Sequence, residues 1–186
     1  MQYKTLLPNI LTGLRLALIP LLVLLLSYEQ TTWPAFWAWF IFAFAAFTDW
    51  LDGYLARKLN CESVLGKLMD PLADKLLVTG ALLMLIPLDR IAAWVCLLII
   101  AREMLITGIR GLAASKNNVV AADNIGKIKA NFQYFGIGFL VFPLGLLPIP
   151  YQYQFAMVLI WISIVLSYWS AAQYIYNFRD IFFEKP

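Results

Sequence analysis

Asp49, Asp52, Asp70 and Asp74 crowd one short stretch, DWLDGYLARKLNCESVLGKLMDPLADK, residues 49–75. If the flanking segments are helical, Asp49 and Asp52 (i, i+3) share one face, and Asp70 and Asp74 (i, i+4) share another. The chain contains no histidine, which excludes histidine-ligated metals, histidine triads and a histidine proton relay. Four carboxylates without imidazole or thiolate partners suit a hard, oxygen-seeking cation such as Mg²⁺ or Mn²⁺, which commonly holds substrate phosphate as well. Gly53, Ala56 and Gly66 open room beside the acids for a ligand or a second backbone, and Arg57 is placed to clamp a phosphate. Two structural readings stand beside this one: the glycines pack helices, and Asp70 caps a helix whose first residue is Pro71. Capping would account for Asp70 alone.

The elements that carry these acids are hydrophobic. Of 186 residues, 62% are hydrophobic and 13% charged, with mean hydropathy +0.77, which is too apolar for an ordinary soluble domain. A membrane span needs about 20 apolar residues. Six stretches come close: residues 7–27, 33–56, 64–86, 91–113, 128–148 and 153–177. The expected fold is all-α, a polytopic membrane protein with six transmembrane helices in a single domain over residues 1–186. Lys4 leads directly into apolar sequence with no small-residue cleavage site, so a retained first helix is expected. Lys4, Arg57, Lys58, Lys67, Lys116, Lys127, Lys129, Arg179 and Lys185 fall on one side of this topology, and Arg90 alone on the other. Both termini and the acidic stretch are therefore expected to be cytoplasmic. The net charge of +3 reports this orientation and not a nucleic-acid partner. Cys61 and Cys96 form no paired motif and read as reduced thiols. Each Asp left unpaired near the bilayer centre costs about 2.5–3.5 kcal/mol, so four of them need a neutralising partner.

The spacing DxxDGxxAR, eight residues, then GxxxDxxxD resembles the signature of the CDP-alcohol phosphotransferases at Asp49, Asp52, Gly53, Ala56, Arg57, Gly66, Asp70 and Asp74. The resemblance implies a six-helix membrane enzyme, usually a homodimer, that moves a substituted phosphoryl group from a CDP-linked donor to an alcohol and releases CMP. It implies that Asp49, Asp52, Asp70 and Asp74 hold one or two Mg²⁺ or Mn²⁺ ions on the donor pyrophosphate, with Asp74 also taking the acceptor hydroxyl proton. Asp52, Gly53, Ala56, Arg57 and Gly66 would then admit the cytidine nucleotide.

Acceptor choice must come from elsewhere. In AREMLITGIRGLAASK, residues 101–116, Arg102 and Arg110 are just over two helical turns apart and can face one cavity, with Arg102 the deeper. A buried arginine needs an anion. Glu103 adjoins Arg102 but points elsewhere on the helix, so a carboxylate of the metal site is the expected structural partner. With Lys127 and Lys129 of GKIKA, residues 126–130, these cations could hold a second phosphate, or could be snorkelling residues of the positive-inside bias. The stretch, together with LPNILTGLRLALIP near the N-terminus, resembles the branch of the family whose donor is CDP-diacylglycerol and whose acceptor is sn-glycerol 3-phosphate. By that resemblance Arg102, Arg110, Lys127 and Lys129 bind the acceptor phosphate, and Asn9, Thr12 and Arg15 lie near the donor head group, although Arg15 could equally snorkel to lipid phosphate. Ala130 departs from the branch, in which threonine often follows the second lysine. The same acids would serve an acceptor such as inositol phosphate, serine or phosphatidylglycerol, and a transporter or a non-catalytic metal-binding membrane protein remains open. A bacterial inner membrane, with the site facing the cytoplasm, is the expected location.

Overall fold

A computed structural model describes residues 3–28, 32–59, 64–115, 124–143, 146 and 150–177. Side chains are described for these except residues 3–9, 11, 32, 50–59, 64–68, 70, 112–115, 124, 125, 127 and 177. Six helices run through them: α1 (Tyr3–Ser27), α2 (Thr32–Leu59), α3 (Val64–Leu85), α4 (Ala93–Ser115), α5 (Asn124–Val141) and α6 (Gln152–Asn177). Each apolar stretch read from the sequence contains one of these helices, and the described residues contain no strand. Pro34 falls in the first turn of α2, where its missing N–H has no intrahelical acceptor to lose.

Several boundaries differ from expectation by three residues or more: α1 begins at Tyr3 instead of 7, α2 runs to Leu59 instead of 56, and both ends of α5 move. Helix α5 begins at Asn124, ahead of residue 128, so Gly126 and Lys127 are helical although they fall outside the apolar run. It ends at Val141 instead of 148. Phe142 N still donates to Gly138 O at 3.0 Å, but Pro143 has no N–H with which to continue the ladder. The capping role weighed for Asp70 is also corrected: α3 starts at Val64, so Asp70 and Pro71 lie inside the helix and not at its entrance.

Helix α1 packs on α2 and α3, α5 packs along α6, and α2 and α3 join the two groups through α5. Helix α4 is held by α3 and α6. Helices α5 and α6 approach closely at Gly136: a Cβ there would sit 2.9 Å from Ile160 Cδ1 and 3.2 Å from its backbone nitrogen, so a hydrogen is what fits. Leu22, Phe42, Leu77, Leu82, Ile137, Leu140 and Ile160 fill the shared core. Apolar side chains also face outward, with Trp33, Trp37, Phe40 and Phe44 along α2 and Trp161, Val165 and Trp169 along α6. A surface this apolar is suited to hydrocarbon rather than water. Among the described residues one helix, Gln152–Tyr176, is long and apolar enough to cross a membrane, and Thr12–Ser27 is a shorter apolar run.

The α3–α4 turn explains the isolated Arg90. Asp89 takes a left-handed conformation (φ 54°), which short polar side chains tolerate, and Arg90 turns inward. Its guanidinium donates to Leu140 O at 2.7 Å and Val141 O at 3.1 Å, satisfying carbonyls at the end of α5. Cys96 is likewise structural, a buried free thiol donating to Leu82 O at 3.6 Å; Cys61 lies outside the described residues.

Candidate active site

The signature acids lie on two adjacent helices, Asp49 and Asp52 on α2 and Asp70 and Asp74 on α3. Asp49 is gripped from α1: Arg15 is completely buried and its guanidinium meets the Asp49 carboxylate at 2.7 Å. Arg15 therefore does not snorkel. Thr12, one turn earlier, is buried on the same helix, and Thr48 beside Asp49 turns its hydroxyl onto Ala45 O at 2.8 Å. The side chains of Asn9, Asp52, Ala56, Arg57, Asp70 and Lys127 lie outside those described, as do the surroundings of Gly53 and Gly66. Among the described side chains no three acidic groups gather.

Asp74 faces the interior, and Tyr134 of α5 donates its hydroxyl to Asp74 Oδ1. The Tyr134 ring rests near Phe42 of α2, with centroids 6.0 Å apart, so packing sets the direction of that hydrogen bond. A sequence reading that followed Asp74 alone missed Tyr134. The available signal was helical spacing, since Tyr134 follows Ala130 of the GKIKA segment by four residues, on one face of α5.

Asp74, Arg102, Arg110 and Lys129 all line one cavity of about 490 Å³ enclosed by α3, α4 and α5. Arg102 and Lys129 are buried, while Arg110 is exposed with its guanidinium 5.8 Å from the Tyr174 ring centroid. Gln133, Thr107 and Lys75 add neutral and cationic donors to the wall. Four cationic side chains (Lys75, Arg102, Arg110, Lys129) thus face two carboxylates (Asp74, Glu103), an excess that a phosphomonoester dianion would cancel.

The partner expected for Arg102 is corrected. Arg102 NH1 meets Glu103 Oε1 at 3.0 Å, and its Nε donates to Ser167 O of α6 at 3.0 Å. Adjacent helical residues diverge by about 100°, yet the long arginine arm bends back across that angle. Glu103 also accepts from Lys129. A carboxylate adjoining Arg102 in sequence, rather than one of the signature acids, therefore supplies its counter-charge.

Comparison with known proteins identifies the family. The family model described as CDP-alcohol phosphatidyltransferase matches residues 5–169. A Bacillus subtilis protein named CDP-diacylglycerol--glycerol-3-phosphate 3-phosphatidyltransferase is 36% identical over 182 residues, covering 90% of this chain and 92% of its own. Proteins of the same name from Rickettsia typhi (35% identical, 87% of this chain and 90% of theirs) and Shigella flexneri serotype 5b (36%, 94% of each) are similar. With the signature acids on α2 and α3 and a match spanning most of the sequence, the chain belongs to the CDP-alcohol phosphatidyltransferase family.

Proposed function

We propose that this protein transfers the phosphatidyl group of CDP-diacylglycerol to sn-glycerol 3-phosphate, giving phosphatidylglycerophosphate and CMP in phospholipid synthesis. The observation that carries the acceptor is the single cavity in which Asp74 and the cations Arg102, Arg110 and Lys129 meet. The printed names of the relatives, at 35–36% identity over most of both chains, support the same pair of substrates.

The acceptor phosphate would rest on Arg102, Arg110 and Lys129, with Lys127 on the same helix as Lys129. Its primary hydroxyl would then reach towards Asp74, which takes the proton as the oxygen attacks the lipid-bearing phosphorus. One P–O bond forms, the pyrophosphate P–O bond breaks, and CMP leaves with the electron pair. Tyr134 holds one Asp74 oxygen, leaving the other to face the reactants. Asp52, Gly53, Ala56, Arg57 and Gly66 would receive the cytidine nucleotide, and Thr12 and Asn9 the donor head group.

The donor set fits a divalent ion. Asp49, Asp52, Asp70 and Asp74 lie on packed helices, and Asp70, inside α3, is not consumed by capping. These four would hold one or two Mg²⁺ or Mn²⁺ ions, which when bound neutralise charge on the pyrophosphate and the departing CMP. The buried Arg15 fixes the Asp49 carboxylate from behind, a positioning contact rather than a lipid contact.

The active unit is a single domain of six membrane-spanning helices, acting as a homodimer in a bacterial inner membrane. Both termini and the site face the cytoplasm, the side on which soluble glycerol phosphate is available. This orientation rests on the basic loops of one side and on Arg90, the lone exception, being occupied with the α5 carbonyls.

The test is CMP release by purified protein in detergent with CDP-diacylglycerol and Mg²⁺, offering glycerol 3-phosphate, myo-inositol 1-phosphate, serine or phosphatidylglycerol. Release that requires glycerol 3-phosphate and a divalent ion is expected. Release with another acceptor would keep the family and overturn the acceptor, and nucleotide binding without release from any acceptor would point to a non-catalytic protein.

A further inference from the structure

The acceptor cavity carries an anion of its own. Glu103 of α4 takes the NH1 of Arg102 at 3.0 Å and accepts the ammonium of Lys129, which reaches it from α5. Arg102 and Lys129 are both buried, and the Nε of Arg102 is committed to Ser167 O at 3.0 Å. Since α4 is held by α3 and α6, and the cavity lies among α3, α4 and α5, the Glu103–Lys129 pair bridges the cavity rather than sealing a packed seam.

We infer that Glu103 is the resident counter-anion of this pocket, and that the phosphomonoester dianion of an acceptor binds by taking Lys129 and Arg102 from it. This rests on the acceptor-phosphate assignment made above. Two buried cations without a counter-charge would be costly when no acceptor is present, and Glu103 removes that cost. The same carboxylate competes with every incoming anion, so a dianion displaces it where a singly charged or neutral acceptor does not. It also repels the phosphate that the lipid product still carries, which speeds departure of that product. A fixed orienting role would leave Glu103 in place beside the phosphate, and the two readings predict opposite signs on its neutralisation.

The experiment compares the full-length wild type with Glu103→Gln and Glu103→Asp in detergent. Binding of inorganic phosphate is read by ³¹P line broadening and by thermal stabilisation, and KM and kcat by CMP release. In Glu103→Gln, phosphate affinity is expected to tighten about fivefold or more and KM for glycerol 3-phosphate to fall in parallel, while kcat falls as product is held. The variant should melt lower without phosphate and gain more from it than wild type does. Glu103→Asp, too short to reach both cations, should move the same way by less. Unchanged or weaker phosphate binding in folded variants overturns the inference. So does failure of both variants to fold in saturating phosphate, because phosphate should replace the missing carboxylate. A wild type that binds no phosphate and needs no phosphorylated acceptor would overturn the acceptor reading itself; phosphate binding in wild type without tightening in the variants would overturn Glu103 alone.

Discussion

Arg90 and Arg102 are both buried arginines in an apolar bundle, and they do different things. Arg90 turns from the α3–α4 turn onto the carbonyls of Leu140 and Val141, in a place where the chain ends a helix and needs donors. Arg102 gives its Nε to a carbonyl, Ser167 O, and shares a carboxylate with a second buried cation on the wall of a cavity. Burial alone therefore does not distinguish a structural arginine from a binding one. What distinguishes them is the destination of the remaining N–H groups and whether there is room for an anion beside them.

The largest effect expected from breaking this arrangement lies at the reactive end of the cavity. Asp74→Asn should lower CMP release by about 10²–10⁴-fold, the usual contribution of a positioned base, while the protein still binds nucleotide. A variant retaining more than a tenth of wild-type turnover would remove Asp74 from the base role. Next comes Arg102, proposed to hold the acceptor phosphate. Arg102→Met should raise KM for glycerol 3-phosphate roughly 10- to 100-fold, the worth of a charge-assisted hydrogen bond, with less change in kcat. Arg90→Met should do the reverse, leaving KM unchanged and lowering stability by about 2 kcal/mol, because buried carbonyls at the end of α5 lose their donor. Thermal inactivation followed alongside initial rates separates the two. Smallest is Gly136→Ala, whose added methyl must push against Ile160 and should cost about 1–2 kcal/mol of stability without altering KM.

The comparison also shows how far the sequence could be read. Helix existence was legible because an apolar run long enough to cross a bilayer has few alternatives. The start of α5 was not, because Asn124, Gly126 and Lys127 are not apolar and hydropathy leaves them out of the span, although the helix includes them. The signature acids are local in sequence and were legible by spacing, whereas the surroundings of Asp74 are not local. Tyr134 reaches Asp74 from 60 residues away, and nothing near Asp74 in the chain announces it. Arg15 and Asp49 show the same limit: an arginine in the first span read equally as snorkelling or binding until its burial against α2 put it beside an acid. Arg102 and Glu103 fail in the opposite way. They are neighbours in sequence, and a rule about helix faces separated them, while the length of the arginine side chain brought them together.

The central claim is that one cavity joins the base Asp74 to a phosphate pocket built on Arg102 and Lys129. The most direct measurement is the ratio of kcat/KM for glycerol 3-phosphate to that for glycerol, in wild type and in Lys129→Met. The account predicts a large ratio in wild type that falls at least tenfold in the variant, because glycerol gains nothing from the lost cation. If both acceptors lose rate equally and the ratio stands, Lys129 supports the fold rather than the phosphate, and the cavity is not the acceptor site.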